Sequence, residues 1–376
     1  MIEVADVFRQ FADGYLSVHG TAMPASHRRA ITDILACRTE ALGGHLWRCN
    51  HCSHEVFSYH SCKNRCCPQC HARQTEQWID RRKAEMLPTH YFHVVVTVPE
   101  QLRALLRANQ RDGYGLFMRA TTDAIIELAR DPRFVGGTVG VMAVLHTWTQ
   151  QLIHHPHVHC LVTGGGVSAD GRHWHPAGET FLFPAVALAK LVRGKLKALL
   201  AHERPDLIAP SDAWTTPWVV KIISWGNDTD AVLRYLARYV FRIAITSTRI
   251  VALDDDTVTI SYKDRKSSSR KTCRMAGHEF LRRFLQHVLP KGFHKVRYCG
   301  LWHPANRHRL AQAQLFLAFE RPAPSPPPLT EPDRTPELAT DDRCSDNPPQ
   351  LKPCPRCGCG HLIHVRRLTP KTALGP

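Results

Sequence analysis

Apolar positions recur with helical spacing at the start of the chain, where Val4, Phe8, Phe11 and Tyr15 share one face. A second helix starts at Pro24-Ala25-Ser26 and runs to about Cys37. A cysteine-rich stretch, 46–72, separates it from a basic helix over 72–86 that Pro88 stops. Residues 91–98 (YFHVVVTV) are β-branched and end at Pro99, as a strand should. Two helices fill 100–130. Residues 138–147 and 157–163 predict paired strands, with Gly164-Gly165-Gly166 as the turn beyond them. Farther on, helices over 184–203, 230–245, 277–289 and 305–319 alternate with a strand at 218–224. A hairpin over 250–253 and 257–262 turns at Asp254-Asp255-Asp256. Irregular alternation of this kind predicts an α+β fold.

From 322 to 350 there are nine prolines in twenty-nine residues and no aromatic, the composition of a disordered linker. The expected organisation has four parts: a helical, zinc-binding, DNA-binding domain over 1–90, a catalytic domain over 91–320, the linker over 321–350, and a small cysteine tail over 351–376. No internal repeat is visible. The longest apolar run, 181–192, contains Pro184 and Lys190, so no membrane span is expected. Glu3 and Asp6 stand where an export leader would need a basic-then-apolar start, and the expected location is the cytoplasm.

Charge narrows the partners. Forty-nine Lys and Arg against thirty-three Asp and Glu leave +16, an excess that favours nucleic acid first and an acidic membrane surface second. The apolar share, 43%, excludes wholesale disorder. Fourteen cysteines are grouped, six between Cys49 and Cys70 and three between Cys354 and Cys359. In a reducing compartment such groups are metal sites rather than disulfides. Cys49-x2-Cys52 and Cys67-x2-Cys70 are two knuckles fourteen residues apart, and each can present two thiolates from one tight turn to a tetrahedral zinc. Four thiolates leave no open position, so this zinc is structural. Cys62 and Cys66 are surplus, and either can replace one of the four. His51, His54, His60 and His71 lie close by, which leaves a second metal open. Lys63, Arg65 and Arg73 among them suggest contact with a phosphate backbone. Cys354-x2-Cys357-x-Cys359, with His361 and His364, is a candidate for another zinc.

Two further patterns carry chemistry. In His154-His155-Pro156-His157-Val158-His159, strand alternation puts His157 and His159 on one face, where two imidazoles suit a divalent cation. A third ligand is needed: His146 on the preceding strand is the first choice, with Gln151 and His155 as competitors. In the helix over 230–245, Leu233, Leu236, Val240 and Ile243 form a core stripe and Arg234, Arg238 and Arg242 a basic one. Tyr235 and Tyr239 lie on the border between them, placed either to meet a phosphodiester or simply to rim the core.

The order of these features resembles the two-tyrosine, rolling-circle transposases of bacterial insertion sequences, the insertion-sequence ninety-one family. Similar stretches are SCKNRCCPQC at 61–70, YFHVVVTVP at 91–99, HHPHVHCLVTGGG at 154–166, YLARYVFRIAI at 235–245 and EFLRRFLQHVLPKGF at 279–293. One departure is Cys66, where that family's knuckle has histidine. The resemblance covers roughly 4–319 and implies an HUH-endonuclease core: an antiparallel sheet with a central histidine strand and the tyrosine helix above it. It implies Mg²⁺ or Mn²⁺ on His157, His159 and a third ligand, structural Zn²⁺, and single-stranded element ends as substrate. Tyr235 and Tyr239 are then the nucleophiles, giving a 5′-phosphotyrosine and, biologically, transposition. Lys263, Arg265, Lys266, Arg270 and Lys271, with Arg282 and Arg283, are expected backbone contacts. No membrane or small-molecule partner is expected. Two alternatives stay open, a plasmid relaxase or replication initiator of the same chemistry and a non-catalytic zinc DNA-binding regulator. The chain has no Gly-x4-Gly-Lys-Ser/Thr loop of the kind a fused helicase would bring.

Overall fold

The computed structural model describes residues 2–70, 72–226, 228–241, 244–264, 267–319 and 352–371. The expected linker over 321–350 lies outside them. The chain opens with helices α1 (Val4–His19) and α2 (Ala25–Ala36), then strands β1 (Gly44–Cys49) and β2 (Glu55–Tyr59) and helix α3 (Ala72–Lys83). Strand β3 (Tyr91–Thr97) leads into α4 (Arg103–Ala108) and α5 (Gln110–Arg130), followed by β4 (Thr138–Trp148), β5 (His154–Val167) and β6 (Trp174–Pro176). Next come α6 (Ala185–Glu203), β7 (Val219–Trp225) and α7 (Thr229–Phe241), and then β8 (Ile250–Leu253), β9 (Thr257–Lys263) and β10 (Arg270–Ala276). Helix α8 (Gly277–Leu285), β11 (Val296–Gly300), α9 (Arg307–Phe319) and β12 (Leu362–Leu368) complete it. The fold is α+β.

By internal contacts the chain forms two compact units, Met1–Leu35 with Lys63–Glu320, and Ala36–Cys62 with Arg321–Pro376. This division runs across the expected 1–90 and 351–376 boundaries. In the larger unit an antiparallel sheet runs β11-β4-β5-β3-β7, with β6 beside β5. Alternation sorts its side chains. Phe92, Val94, Val96, Val141, Ala143, Val158, Cys160 and Val162 point to one face and are buried with Phe117 and Ile125 of α5 and Leu188, Val192 and Leu196 of α6. The other face carries Tyr91, Met142 and Leu161, which pack against Val232 and Leu236 of α7. A separate sheet, β10-β9-β8, includes the expected hairpin. Helix α1 starts on a capping box between Glu3 and Asp6 and packs Phe8 edge-on to Phe284 of α8, with centroids 5.2 Å apart. The smaller unit is one sheet, β12-β1-β2.

Two expectations fail for physical reasons. Gly164-Gly165-Gly166 is not a turn but the end of β5, where glycine permits close approach. A Cβ on Gly165 would lie 2.4 Å from the Trp174 ring, and one on Gly164 2.5 Å from His90. Helix α8 ends at Leu285, short of residue 289. The carbonyls of Leu289, Pro290 and Phe293 beyond it accept from the Arg65 guanidinium at 2.7, 2.6 and 2.6 Å.

Beneath the sheet His287 is buried with both ring nitrogens engaged. Nε2 donates to the Leu152 carbonyl (3.1 Å) and Nδ1 meets the Thr147 hydroxyl (3.1 Å). Burial pushes its pKa down to about 3, and burial with Arg107 nearby pushes that of His154 to about 4. A depressed folded-state pKa means that stability is complete above the unfolded value near 6.5 and is lost as pH falls toward the folded value. Unfolding free energies from urea titrations at pH 7 and pH 5 should therefore differ by roughly 2 kcal/mol from His287 alone. His287→Gln should be less stable at pH 7 yet lose less between the two pH values; an unchanged difference would show that this histidine does not set it.

Candidate active site and metal centres

Strand β5 lies between β4 and β3, so its residues have neighbours on both sides. His157 pairs directly with His146 of β4, and His159 with Val144 of β4 and Val95 of β3. Parity and register thus bring His146, His157 and His159 to the face that α7 covers. All three are buried, and each offers one nitrogen within 4.8 Å of the others. The ring of Trp148 stacks on His146 at 4.5 Å. His157 Nδ1 donates to the His155 carbonyl at 2.7 Å, which puts the lone pair on Nε2. Of the competitors, His155 enters through its backbone, and the Gln151 carbonyl accepts from Arg283. The His155 side chain is not in the cluster.

One residue escaped the sequence reading. His93 of β3 stacks on His159 (5.1 Å, 11°), with its Nε2 2.8 Å from His159 Nδ1. Burial, helped by Lys221, pushes its pKa down to about 4, so it is neutral at pH 7. The available signal was a lone imidazole inside an apolar strand, which must find a polar partner when buried.

Above this face, Tyr235 of α7 presents its ring edge-on to His93 (5.4 Å) and Trp225 (4.4 Å). A cavity of about 680 Å³ is lined by Tyr235, His93, the three clustered histidines, Lys221 and Arg249. Arg234 is exposed on the same helix. The side chains of Arg238 and Tyr239, and the whole of Arg242, lie outside the described residues.

The cysteines group otherwise than expected. In the smaller unit the Cys49 and Cys52 sulfurs meet those of Cys354 and Cys357, all within 4.8 Å of one another. Sulfur–sulfur distances are 3.7 Å for Cys49–Cys357 and for Cys52–Cys354. The two knuckles share one geometry. In each, the residue after the second cysteine has a left-handed backbone, Ser53 (φ 56°) and Gly358 (φ 68°). Each first cysteine accepts an amide hydrogen from the residue two places on, both at 3.4 Å: His51 onto Cys49 and Arg356 onto Cys354. Amide hydrogens, chiefly that of Gly360, pull the Cys357 thiol down to about 5, and that of Cys52 chiefly lowers Cys49. A Cβ on Gly360 would sit 2.5 Å from the Cys49 sulfur, so the loop hugs the thiolates. Four converging soft donors with backbone support fit zinc. The expected tetrad of Cys49, Cys52, Cys67 and Cys70 is therefore corrected: spacing cannot reveal which pairs share an ion. Cys67 and Cys70 form a close pair in the larger unit, and Cys37 and Cys62 another in the smaller. Cys66 joins no such group among the described residues; burial pushes its thiol up to about 11.

A family model described as "Transposase zinc-binding domain" matches residues 7–98, and one described as "Putative transposase" matches 140–309. The chain is 39% identical to the "Putative transposase y4qJ" of Sinorhizobium fredii, over 96% of this chain and 94% of that one. It is 27% identical to the "Transposase for insertion sequence element IS801" of Pseudomonas savastanoi pv. phaseolicola, over 79% of this chain and 75% of that one. The chain belongs to the IS91 family of insertion-sequence transposases. No solved structure matches it.

An IS91-family transposase is an enzyme that acts on DNA, and the zinc-binding domain implies structural zinc, which the thiolates above fit. Among the described residues no helix is long and apolar enough to cross a membrane. The basic residues expected on DNA differ in how far their charge is already matched. Lys263 and Arg270 are exposed. Lys271 pairs with Asp264 at 2.5 Å. Arg282 and Arg283 both bind Glu279, whose pKa they pull down to about 2. Arg265 and Lys266 lie outside the described residues. Arg65, expected near phosphate, is instead held by the three carbonyls beyond α8.

The regrouped cysteines make a distinct prediction. Cys52→Ser and Cys354→Ser should each lower bound zinc by about one per chain, and the double variant should lose no more, because both act on one ion. Elemental analysis of gel-filtered protein reads this. Full zinc content in Cys354→Ser would restore the expected tetrad.

Proposed function

We propose that this transposase is a metal-dependent single-strand DNA endonuclease and strand transferase, working through a 5′-phosphotyrosine in rolling-circle transposition. The observation that carries the reading is the cavity in which Tyr235 lies together with three clustered, buried imidazoles. His146, His157 and His159 would hold Mg²⁺ or Mn²⁺, an ion that polarises a phosphodiester and steadies charge growing on its oxygens. Three imidazoles favour Mn²⁺ over the harder Mg²⁺. His93 orients His159 and keeps its basicity high through the short nitrogen–nitrogen contact.

Tyr235 attacks phosphorus in line. Its oxygen bonds to phosphorus, the bond to the 3′ oxygen breaks, and the hydroxyl proton ends on the released 3′-hydroxyl. Lys221 and Arg249 line the same cavity and bring positive charge to the side on which the phosphodiester would lie. The phosphotyrosine conserves the bond's energy, so a new 3′ end can displace it without ATP. Tyr239, one turn along and about 6 Å farther on the axis, supplies the second attack. One tyrosine cannot hold two 5′ ends at once. The proposed substrate is single-stranded DNA at the element's ends. Cys67 and Cys70 supply two of the four ligands that a second structural zinc would need.

Labelled single strands from the element's own ends, incubated with Mn²⁺ or Mg²⁺, should give a covalent protein–DNA adduct. His157→Ala and His159→Ala should abolish it while much of the DNA binding persists. Either single Phe replacement, of Tyr235 or Tyr239, should still form the adduct yet lose most transposition in cells, and the double replacement should form none. The absence of any adduct across end sequences and both metals would leave a DNA-binding protein without this chemistry. A finer test concerns His93→Ala, which should raise the Mn²⁺ needed for half-maximal cleavage by about 10–100-fold. A lowered plateau at unchanged Mn²⁺ requirement would deny it the orienting role.

A further inference from the structure

The family match for the zinc-binding domain ends at residue 98, but of the four converging thiolates that include Cys49 and Cys52, two are Cys354 and Cys357. Cys52 and Cys354 are 302 positions apart, and every residue of the proposed active site lies between them. We infer that the zinc module is a split ribbon, one knuckle from each end of this sequence, and that it closes only in chains made past Leu368. This rests on the structural zinc and not on the tyrosine chemistry.

The proximal half cannot close alone. Strands β1 and β2 make a two-stranded hairpin, which is marginal in water, and two thiolates leave a tetrahedral ion half-bound. Strand β12 supplies what is missing. It covers the second edge of β1 from Gly44 opposite Leu368 to Cys49 opposite Leu362. The Asn50 N–H donates to the His361 carbonyl (3.1 Å) and the His361 N–H to Asn50 Oδ1 (2.8 Å). Lys371 pairs with Glu40 at 2.8 Å. Leu362 packs with Cys49 and Cys354 in one buried cluster, flanked by Trp47 and Val56. Ion, sheet edge and apolar cluster are completed by the same distal segment. A chain cut or terminated before residue 352 keeps the histidines and both tyrosines but lacks a closed ribbon.

The test uses the full chain with a protease site inserted at 330–340. After cutting, the distal fragment should co-elute with the remainder while zinc is present and leave when a chelator strips the metal. Cobalt substitution gives a second readout that does not depend on retention. The thiolate-to-cobalt absorption per chain should fall by the same amount in Cys354→Ser/Cys357→Ser as in Cys49→Ser/Cys52→Ser, because both remove one and the same site. A distal fragment that leaves while zinc content stays unchanged would overturn the inference, as would full cobalt absorption in the Cys354→Ser/Cys357→Ser chain. A chain that keeps its fragment yet forms no DNA adduct would sink the tyrosine mechanism alone.

Discussion

Strand β5 is buried along nearly its whole length, and that double burial constrains everything near the site. One face, with Val158, Cys160 and Val162, joins the apolar core under α5 and α6, while the other carries His157 and His159. Because strand side chains alternate, a slip of one residue would drive both imidazoles into that core and expose aliphatic groups to the cavity. The pairing of His146 with His157 across β4 is thus set by the same register that buries the valines. Neutral, hydrogen-bonded imidazoles are the form in which histidines can be buried at tolerable cost, and neutrality also makes them ligands. The demands of packing and of metal binding coincide.

Local period made half of this legible. Histidines two apart on a strand and tyrosines four apart on a helix need only alternation and a 3.6-residue turn. His157 and His159 share one face of β5, and Tyr235 and Tyr239 fall on α7, the Tyr239 side chain lying outside the described residues. What escaped depends on partners distant in sequence. Cys49-x2-Cys52 announces a knuckle but not its mate, and the mate lies beyond the whole catalytic unit. Strands β1 (GHLWRC) and β12 (LIHVRRL) are short and mix histidine and arginine with their apolar residues, so neither announces its partner. Gly164 to Gly166 carried a turn signal, but the close approach of His90 and Trp174 was the actual reason for glycine.

The net charge of +16 overstates what DNA can meet. Arg65 is turned onto three carbonyls, and Arg282 and Arg283 share the single carboxylate of Glu279, so one of these three charges is matched and another is engaged inside the fold. Composition counts formal charge, whereas attraction for a phosphate backbone depends on charge that is exposed and not matched by a carboxylate. Lys263, Arg270 and Arg234, all exposed, keep that capacity, and Lys221 brings it to the cavity wall.

The separation of donor types bears on metal choice. Affinity for nitrogen and sulfur donors rises from Mn²⁺ toward Zn²⁺, so three imidazoles alone would not prefer the harder ion. The chain keeps its thiolates in groups that hold no active-site imidazole, and its active-site imidazoles in a group that holds no thiolate. Zinc is therefore drawn first to the thiolate sites, where four soft donors close its coordination sphere. The histidine cluster, with three donors facing an open cavity, keeps positions for phosphate oxygens and water. On the proposed reading, availability and the oxygen ligands that DNA brings would decide which ion occupies it. The substrate would then be part of the metal site, which would give a physical reason for a cavity of this size directly over the histidines.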